Sequence, residues 1–212
     1  MNRVVASDRA ITIIDNATTD MVADAVQAAL GKTGKCAIAV PGGSTPLPIF
    51  AELASRPITW DNVLLTLGDD RLVACDHRAS NHGRLAHALA ATDAVVTPLQ
   101  ALAHPPPRFD LMWIGMGDDG HIASLFPSAD PKAGGDPTII TLTPDPLPPE
   151  APYDRISLNM AAINNSDAII LVGKGAEKRV VLDAALTGEN DLPIARLLHS
   201  PGPPITIYWS AA

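Results

Sequence analysis

The segment CAIAVPGGSTP, residues 36–46, decides the fold class of this chain. Its first five residues form an apolar run of strand length, and the glycines, hydroxyl residues and prolines that follow are typical of a turn. The next apolar residues, Leu47, Phe50 and Leu53, repeat at helical spacing. A strand that leads through a glycine-rich turn into a helix is the repeating unit of α/β folds.

The same alternation of strand-length and helix-period segments continues along the chain. The predicted strands are Cys36–Val40, Val63–Leu67, Asp110–Ile114, Thr138–Leu142, Arg155–Asn159, Ala168–Val172 and Pro204–Trp209. Most are continuously apolar, as parallel strands covered on both faces are. The predicted helices are Asp20–Leu30 with a cap at Thr18 or Thr19, Ser80–Ala90, and Gly175–Leu186. We therefore predict a three-layer α/β/α fold with a mostly parallel, Rossmann-like sheet, formed as a single domain over residues 1–212.

Composition restricts the classes of function. Hydrophobic residues make up 47% of the 212 residues, which is enough for a core, and the net charge of −8 argues against nucleic-acid binding. The two cysteines, Cys36 and Cys75, are too few for a disulfide framework. No apolar run approaches the ~20 residues of a membrane helix, and the N-terminal stretch lacks a signal-peptide core. We expect a cytoplasmic monomer or small homo-oligomer that binds neither nucleic acid nor membrane.

Polar segments that contain glycine follow four of the predicted strands, at residues 41–46, 68–71, 115–121 and 173–178. Ligands of open parallel sheets bind outside the carboxyl ends of the strands. Turn formation alone explains the glycines and hydroxyl residues. It does not explain why Arg71, His121 and Lys178 all arrive at the same edge. We therefore predict that the four segments form one cleft.

The turn after the first predicted strand is a candidate anion site. Its glycines let the backbone approach a ligand, and its hydroxyl groups lie where a helix begins and free N–H groups bind phosphate. From these residues alone, an ordinary N-cap turn is an equally good interpretation. The candidate binding residues are Gly42, Gly43, Ser44 and Thr45.

Three cations extend this candidate site. Lys178 lies in the first turn of a predicted helix, where the helix dipole disfavours a cation unless an anion is nearby. Arg155 opens a predicted strand, and Arg71 follows two carboxylates in the segment Gly68–Arg71, which we predict to be a turn. A surface ion pair is the alternative explanation for that last cluster. An acidic protein with such a rim is suited to a small phosphorylated metabolite.

The segment GMGDDGH, residues 115–121, combines two carboxylates and a histidine with three glycines. As a dinucleotide fingerprint it is poor, because Asp118 and Asp119 would face a pyrophosphate with like charge. A metal site of these two carboxylates with His121 is conceivable, yet no H-x-x-x-H or cysteine spacing supports it. The favoured interpretation is a general base, His121, whose tautomer is fixed by a neighbouring carboxylate.

Several motifs together resemble the 6-phosphogluconolactonase family, part of a superfamily that includes glucosamine-6-phosphate deaminase. They are PGGSTP at 41–46, DDR at 69–71 with Ser80-Asn81, GMGDDGHIASLFP at 115–127, RISL at 155–158 and GAEK at 175–178. In the deaminases the histidine is followed by a segment whose glutamate takes part in catalysis. Here residues 124–127, Ser-Leu-Phe-Pro, offer no carboxylate.

The resemblance implies hydrolysis of 6-phospho-D-glucono-1,5-lactone to 6-phosphogluconate, in the oxidative pentose phosphate pathway, without metal or cofactor. It implies that His121 activates water with support from Asp119, and that Asp69 and Arg71 complete the catalytic set. Phosphate would be held by Ser44, Arg155 and Lys178. Asp70 stands where the family usually has glutamate, which leaves its role open. The alternatives are a sugar-phosphate deaminase or isomerase of the same superfamily, or a non-catalytic phosphosugar-binding module.

Overall fold

The structure, a computed structural model, describes residues 2–6, 9–31, 34–149 and 151–211. Its strands are β1 (Asn2–Ala6), β2 (Arg9–Asp15), β3 (Cys36–Val40), β4 (Val63–Leu67), β5 (Asp69–Arg71), β6 (Val96–Thr97), β7 (Leu111–Ile114), β8 (Ile139–Leu142), β9 (Arg155–Leu158), β10 (Ile169–Lys174) and β11 (Ile205–Ser210). Its helices are α1 (Thr19–Leu30), α2 (Leu47–Ser55), α3 (Asn81–Ala88), α4 (Met160–Asn164), α5 (Ala176–Thr187) and α6 (Pro193–His199).

The main sheet has the strand order β1-β2-β11-β10-β7-β3-β4-β6. The seven strands from β2 to β6 in this order are parallel, and β1 adds to the edge antiparallel to β2. A second, antiparallel sheet has the order β5-β9-β8. From β3 the chain continues outward to β4 and β6, and from β7 it continues in the opposite direction to β10 and β11. The topological switch point therefore lies between β3 and β7, where open α/β sheets bind ligands.

Helices cover both faces of the main sheet. On one face, α1, α2 and α3 bury Val26, Phe50 and Leu85 in a cluster with β3 and β4. On the other face, α4, α5 and α6 pack with β7, β10 and β11, around residues such as Leu182 and Leu197. The predicted three-layer α/β/α class is confirmed. In the described part of the chain, no helix combines the length and apolar character needed to span a membrane.

Predicted helix starts agree well with the structure. The hydroxyl of Thr18 caps α1 by accepting the backbone N–H of Met21 at 3.3 Å, and Ser80 caps α3 by accepting that of Gly83 at 3.0 Å. Helix α5 ends at Gly188, whose φ of +75° lies in the left-handed region that glycine adopts most easily. These ends could be predicted because capping depends on local residues.

The runs at 138–142 and 155–159 form strands as predicted, and the structure adds that these strands, β8 and β9, pair antiparallel in the second sheet. One prediction is wrong: the segment Gly68–Arg71 is not only a turn, because Asp69–Arg71 is extended and pairs with β9. The residues of a short polar segment do not specify a distant strand with which it pairs.

The fold brings the four polar segments together as predicted. The strands that precede them, β10, β7, β3 and β4, are consecutive neighbours in the main sheet and are parallel. Their carboxyl ends therefore lie along one edge. The second sheet begins directly after β4, and it lies beside that edge because Gly68 bonds to both Val40 and Leu158.

Candidate active site

His121 lies in the turn that follows β7, beside the switch point. Its Nδ1 is 2.5 Å from Oδ1 of Asp119, and the same oxygen accepts the backbone N–H of His121 at 3.1 Å. Partial burial would raise the pKa of Asp119, but the hydrogen bonds and charge of His121 outweigh it and leave that pKa below its ordinary value. Asp119 is thus an ionised acceptor at neutral pH. In the neutral form of His121, this acceptor places the ring proton on Nδ1, so Nε2 is the nitrogen with the lone pair.

Close packing fixes the orientation of the His121 ring. A Cβ on Gly117 would lie 2.1 Å from Cε1 of His121, so only glycine lets the ring fold back onto the turn. Gly117 also donates its N–H to the carbonyl of His121 at 2.9 Å. The ring of Phe126 packs against the imidazole with its centroid 4.8 Å away. Backbone, carboxylate and aromatic ring together hold the imidazole in one position.

Asp69 contributes a second carboxylate from the small sheet. Its Oδ2 accepts the hydroxyl of Ser124 at 2.5 Å, and Ser124 donates its backbone N–H to Oγ of Ser157 at 3.3 Å. Burial raises the pKa of Asp69, against the opposing effects of Ser124, His121 and Arg71. These contacts connect the small sheet to the loop that carries His121.

Asp70 points to the other face of β5, as adjacent residues of a strand do. Its carboxylate accepts the backbone N–H groups of Asn81 at 2.7 Å and His82 at 2.9 Å, and the hydroxyl of Ser80 at 3.4 Å. It therefore holds the N-terminus of α3, where a negative charge is favourable. The role that the sequence left open for Asp70 is structural.

Arg71 is connected to the glycine turn through an asparagine. Its Nη1 donates to the carbonyl of Ala79 at 2.8 Å and to Oδ1 of Asn81 at 3.1 Å. The same Oδ1 accepts the backbone N–H of Gly43 at 3.3 Å. A Cβ on Gly42 would lie 2.1 Å from the Asn81 amide. One side chain thus links β5, α3 and the turn after β3.

Arg155 lies opposite Arg71 in the pairing of β9 with β5 and is only 4% exposed. It donates to the carbonyls of Tyr153 at 2.5 Å and Ala151 at 2.8 Å. Burial lowers its pKa, and the charge of Arg71 lowers it further, while nearby carboxylates, chiefly that of Asp69, oppose both effects. Two guanidinium groups lie close together here, which favours a nearby anion.

Lys178 lies in the first turn of α5, as predicted. Its Nζ donates to the carbonyl of Met116 at 2.9 Å and lies 3.5 Å from Oδ1 of Asp118. Both partners belong to the turn that carries His121. The predicted phosphate lysine therefore borders the predicted base.

Ser44 and Thr45 line a cleft of about 440 Å³ that also includes the end of β10 and the start of α1. Lys174, at the end of β10, is exposed and lines the same cleft. Within the described ranges, no side-chain hydrogen bond or ion pair joins Ser44 or Thr45 to Lys178 or Arg155. The structure places these predicted binding residues along one edge without direct contact.

The acidic turn does not form a metal cluster among the described residues, where no three His, Cys, Asp or Glu side chains are grouped to hold an ion. Asp118 instead faces Lys178, and Asp119 faces His121. The alternative metal site of Asp118, Asp119 and His121 thus lacks geometric support.

Three polar residues at the site went unassigned in the sequence: Asn81, Ser124 and Lys174. Asn81 and Ser124 act through contacts with residues far along the chain, so local spacing gives no signal for them. Lys174 could have been found, because a lysine at the end of a buried parallel strand lies at the ligand edge of the sheet.

An α/β sheet with a histidine–aspartate pair and several cations at the carboxyl edge of its strands is typical of an enzyme that acts on a small anionic substrate. The profile of the family described as Glucosamine-6-phosphate isomerases/6-phosphogluconolactonase matches residues 12–104 and 85–206, and the chain belongs to this family.

Within this family the chain is similar to the 6-phosphogluconolactonases. The 6-phosphogluconolactonase of Pseudomonas putida is 35% identical, over 89% of this chain and 85% of the relative. That of Neisseria meningitidis serogroup A is 32% identical, over 90% and 92%. The crystal structure of a 6-phosphogluconolactonase from Shewanella baltica OS155 superimposes with a TM-score of 0.79 at 29% identity, over 97% of this chain and 99% of that one.

Proposed function

We propose that this chain hydrolyses 6-phospho-D-glucono-1,5-lactone to 6-phosphogluconate, with His121 as the general base. The lactonase activity is supported by homology to the curated 6-phosphogluconolactonases. The observation that carries the mechanism is the 2.5 Å contact between Nδ1 of His121 and ionised Asp119 at the switch point of the sheet. That contact leaves Nε2 as the atom able to accept a proton from water.

The proposed reaction needs no covalent intermediate, because a lactone is an activated ester. Nε2 of His121 takes a proton from water while the oxygen of that water attacks the carbonyl carbon. Collapse of the tetrahedral oxyanion breaks the bond from this carbon to the ring oxygen. The imidazolium then returns its proton to the departing ring oxygen, so the base is regenerated. A positioned base contributes about 10²–10⁴-fold to such a reaction.

The cations and the glycine turn have separate roles in this proposal. Arg71, beside Asp69, stabilises the developing oxyanion in the cleft. Ser44, Thr45 and Lys178 hold the phosphate at the far end of the sugar, which orients the carbonyl toward His121. Arg155 contributes positive potential from beneath the surface, since its guanidinium is tied to backbone carbonyls.

The segment after His121 favours hydrolysis over deamination. A deaminase of this superfamily would need an additional acid where Leu125 and Phe126 stand. Leu125 is buried in the core, and Phe126 packs against the His121 ring. Ser124 donates its hydroxyl to Asp69, so it supplies no acid either. A purely binding module would have no need for the oriented His121–Asp119 pair.

The test of this proposal is a coupled assay that generates the phospholactone in place and follows its hydrolysis above the spontaneous rate. His121→Ala should lower kcat by about 10²–10⁴-fold, the contribution of a general base, with KM nearly unchanged. His87→Ala is the matched control, because His87 lies on α3 and is exposed. Near-normal kcat in His121→Ala would disprove the general-base role. No activity above the spontaneous rate in the wild type would disprove the proposed function.

A further inference from the structure

Asn81 occupies a position that its hydrogen bonds do not fully explain. The residue is only 4% exposed, although amides seldom lie so deep without a full set of partners. Oδ1 accepts two hydrogen bonds, from Nη1 of Arg71 and from the backbone N–H of Gly43. Both partners are donors, so the oxygen is the atom that faces them and the amide orientation is fixed.

The other end of the Asn81 amide has two N–H donors to satisfy. Within the described residues, no acceptor lies within hydrogen-bond distance of Nδ2. Nδ2 also differs from the fully enclosed, partnerless atoms elsewhere in the described structure, such as Nδ1 of His82, because it retains contact with solvent. The residue therefore keeps an unused pair of donors that solvent still reaches.

Nδ2 of Asn81 lies at the glycine turn. A Cβ on Gly42 would lie 2.1 Å from Nδ2 of Asn81, so the amide packs directly against that backbone. The backbone N–H of Gly43, at φ +87°, is already bonded to Oδ1. The Gly43 N–H is thus already used, whereas the amide of Asn81 beside it still has donors to offer to an incoming group.

We propose that Nδ2 of Asn81 donates a hydrogen bond to the phosphate of the substrate, while its Oδ1 positions Arg71. This inference rests on the proposed function, because it deepens the phosphate site assigned there. Phosphate oxygens accept hydrogen bonds from neutral N–H donors at a helix start, and such bonds to an ionised acceptor are stronger than those between neutral groups. Asn81 is also the first residue of α3, which Asp70 and Ser80 hold in place, so its donors are preorganised.

The test removes the donor with two variants, of which one keeps an acceptor oxygen. Asn81→Asp retains an oxygen for Arg71 and Gly43, and Asn81→Ser removes the amide without adding charge. Both variants should raise KM for the phospholactone by about ten- to a hundredfold, the loss expected for a hydrogen bond to a charged group. Both should weaken binding of inorganic phosphate and 6-phosphogluconate by the same factor in calorimetry. Asn62→Asp is the charge-matched control, because Asn62 is exposed at the opposite end of β4.

Three results would overturn the inference. Unchanged phosphate binding in Asn81→Ser, with a lower kcat, would mean that Asn81 acts only through Arg71. Weaker binding in Asn81→Asp but not in Asn81→Ser would mean charge repulsion in place of a lost donor. If the wild type bound neither inorganic phosphate nor 6-phosphogluconate, the proposed phosphate site would not exist. Failure of the proposed function is distinguished from all three, since a chain without lactonase activity could still bind phosphate through Asn81.

Discussion

The two carboxylates that interact electrostatically with His121, Asp119 and Asp69, have opposite shifts in pKa. Asp119 lies on an exposed turn, and its contact with His121 keeps its pKa below the ordinary value. Asp69 lies on β5 and is enclosed by the loop and the small sheet, where burial raises its pKa although Ser124 bonds to it. The residue type is the same in both cases. What differs is how much water each carboxylate keeps and whether a cationic partner replaces the water it loses.

The two sides of the cleft differ in role. The turn from 115 to 121 is open to solvent and holds a charged acceptor against the base. The strand from 69 to 71 is enclosed and connects to α3, the His121 loop and β9. We infer that the turn carries the base and its acidic partner, and that the strand, apart from Arg71, keeps the cleft in shape. Substitutions on the two sides should therefore differ in what they change.

The largest expected effect is on the turn. Asp119→Asn removes the charge that fixes the His121 tautomer and stabilises the imidazolium, so kcat should fall by about 10²-fold or more. KM should change little. Asp118→Asn is the matched control, because the neighbouring carboxylate faces Lys178 and not the base. Steady-state kinetics measures both variants. An equal loss of kcat in Asp119→Asn and Asp118→Asn would contradict the special role of Asp119 beside His121.

A second substitution tests the packing of the same turn. Gly117→Ala places a methyl group where the His121 ring now lies, so it should displace the base by about an ångström and lower kcat by about 10²-fold. Gly115→Ala, in the same turn, is the control, because its added Cβ would contact nothing within 4 Å. Kinetics together with the melting temperature of both variants would check this. A Gly117→Ala enzyme with normal kcat would show that the ring position is not critical.

The two sides also differ in how far the sequence predicts them. The continuous apolar runs of β3, β4, β7 and β10 predict a parallel sheet. Because the carboxyl ends of parallel strands lie along one edge, the residues that follow them, Arg71, His121 and Lys178, are predicted to lie close together. The Asp119–His121 pair could be predicted because its members are two residues apart. In both cases the information is local.

The small sheet could not be predicted in this way. The β5–β9 pairing joins residues more than eighty positions apart, and no local pattern specifies which strands pair. Strand β2 is not among the predicted strands. Its burial alternates, as is typical of a half-covered strand, so polar residues interrupt its short apolar run. The contacts of Asn81 with Gly43 and of Ser124 with Asp69 depend on that tertiary arrangement, so no local pattern indicates them.

On the strand side, the expected effect is on stability. Asp70→Asn replaces a carboxylate that accepts two N–H groups of α3 with an amide that has only one oxygen. A buried donor that loses its acceptor costs about 1–3 kcal/mol, so the free energy of unfolding in urea should fall by that amount. Asp93→Asn, on the surface, is the control. A variant with full stability but much reduced kcat would mean that Asp70 belongs to the reacting side.

The smallest expected effect is the pH dependence of stability, and it should have opposite signs for the two carboxylates. Because the folded pKa of Asp69 is raised, the native state binds more protons than the unfolded chain from about pH 4 upward, so this group weakens stability as pH rises to its folded pKa. For Asp119, whose folded pKa is lowered, stability is present above about pH 4 and is lost as pH falls through the folded value. Urea unfolding from pH 3 to pH 8 should therefore show Asp69→Asn gaining on the wild type as pH rises, and Asp119→Asn losing. If both variants moved in the same direction, the contrast between an enclosed and an ion-paired carboxylate would be wrong.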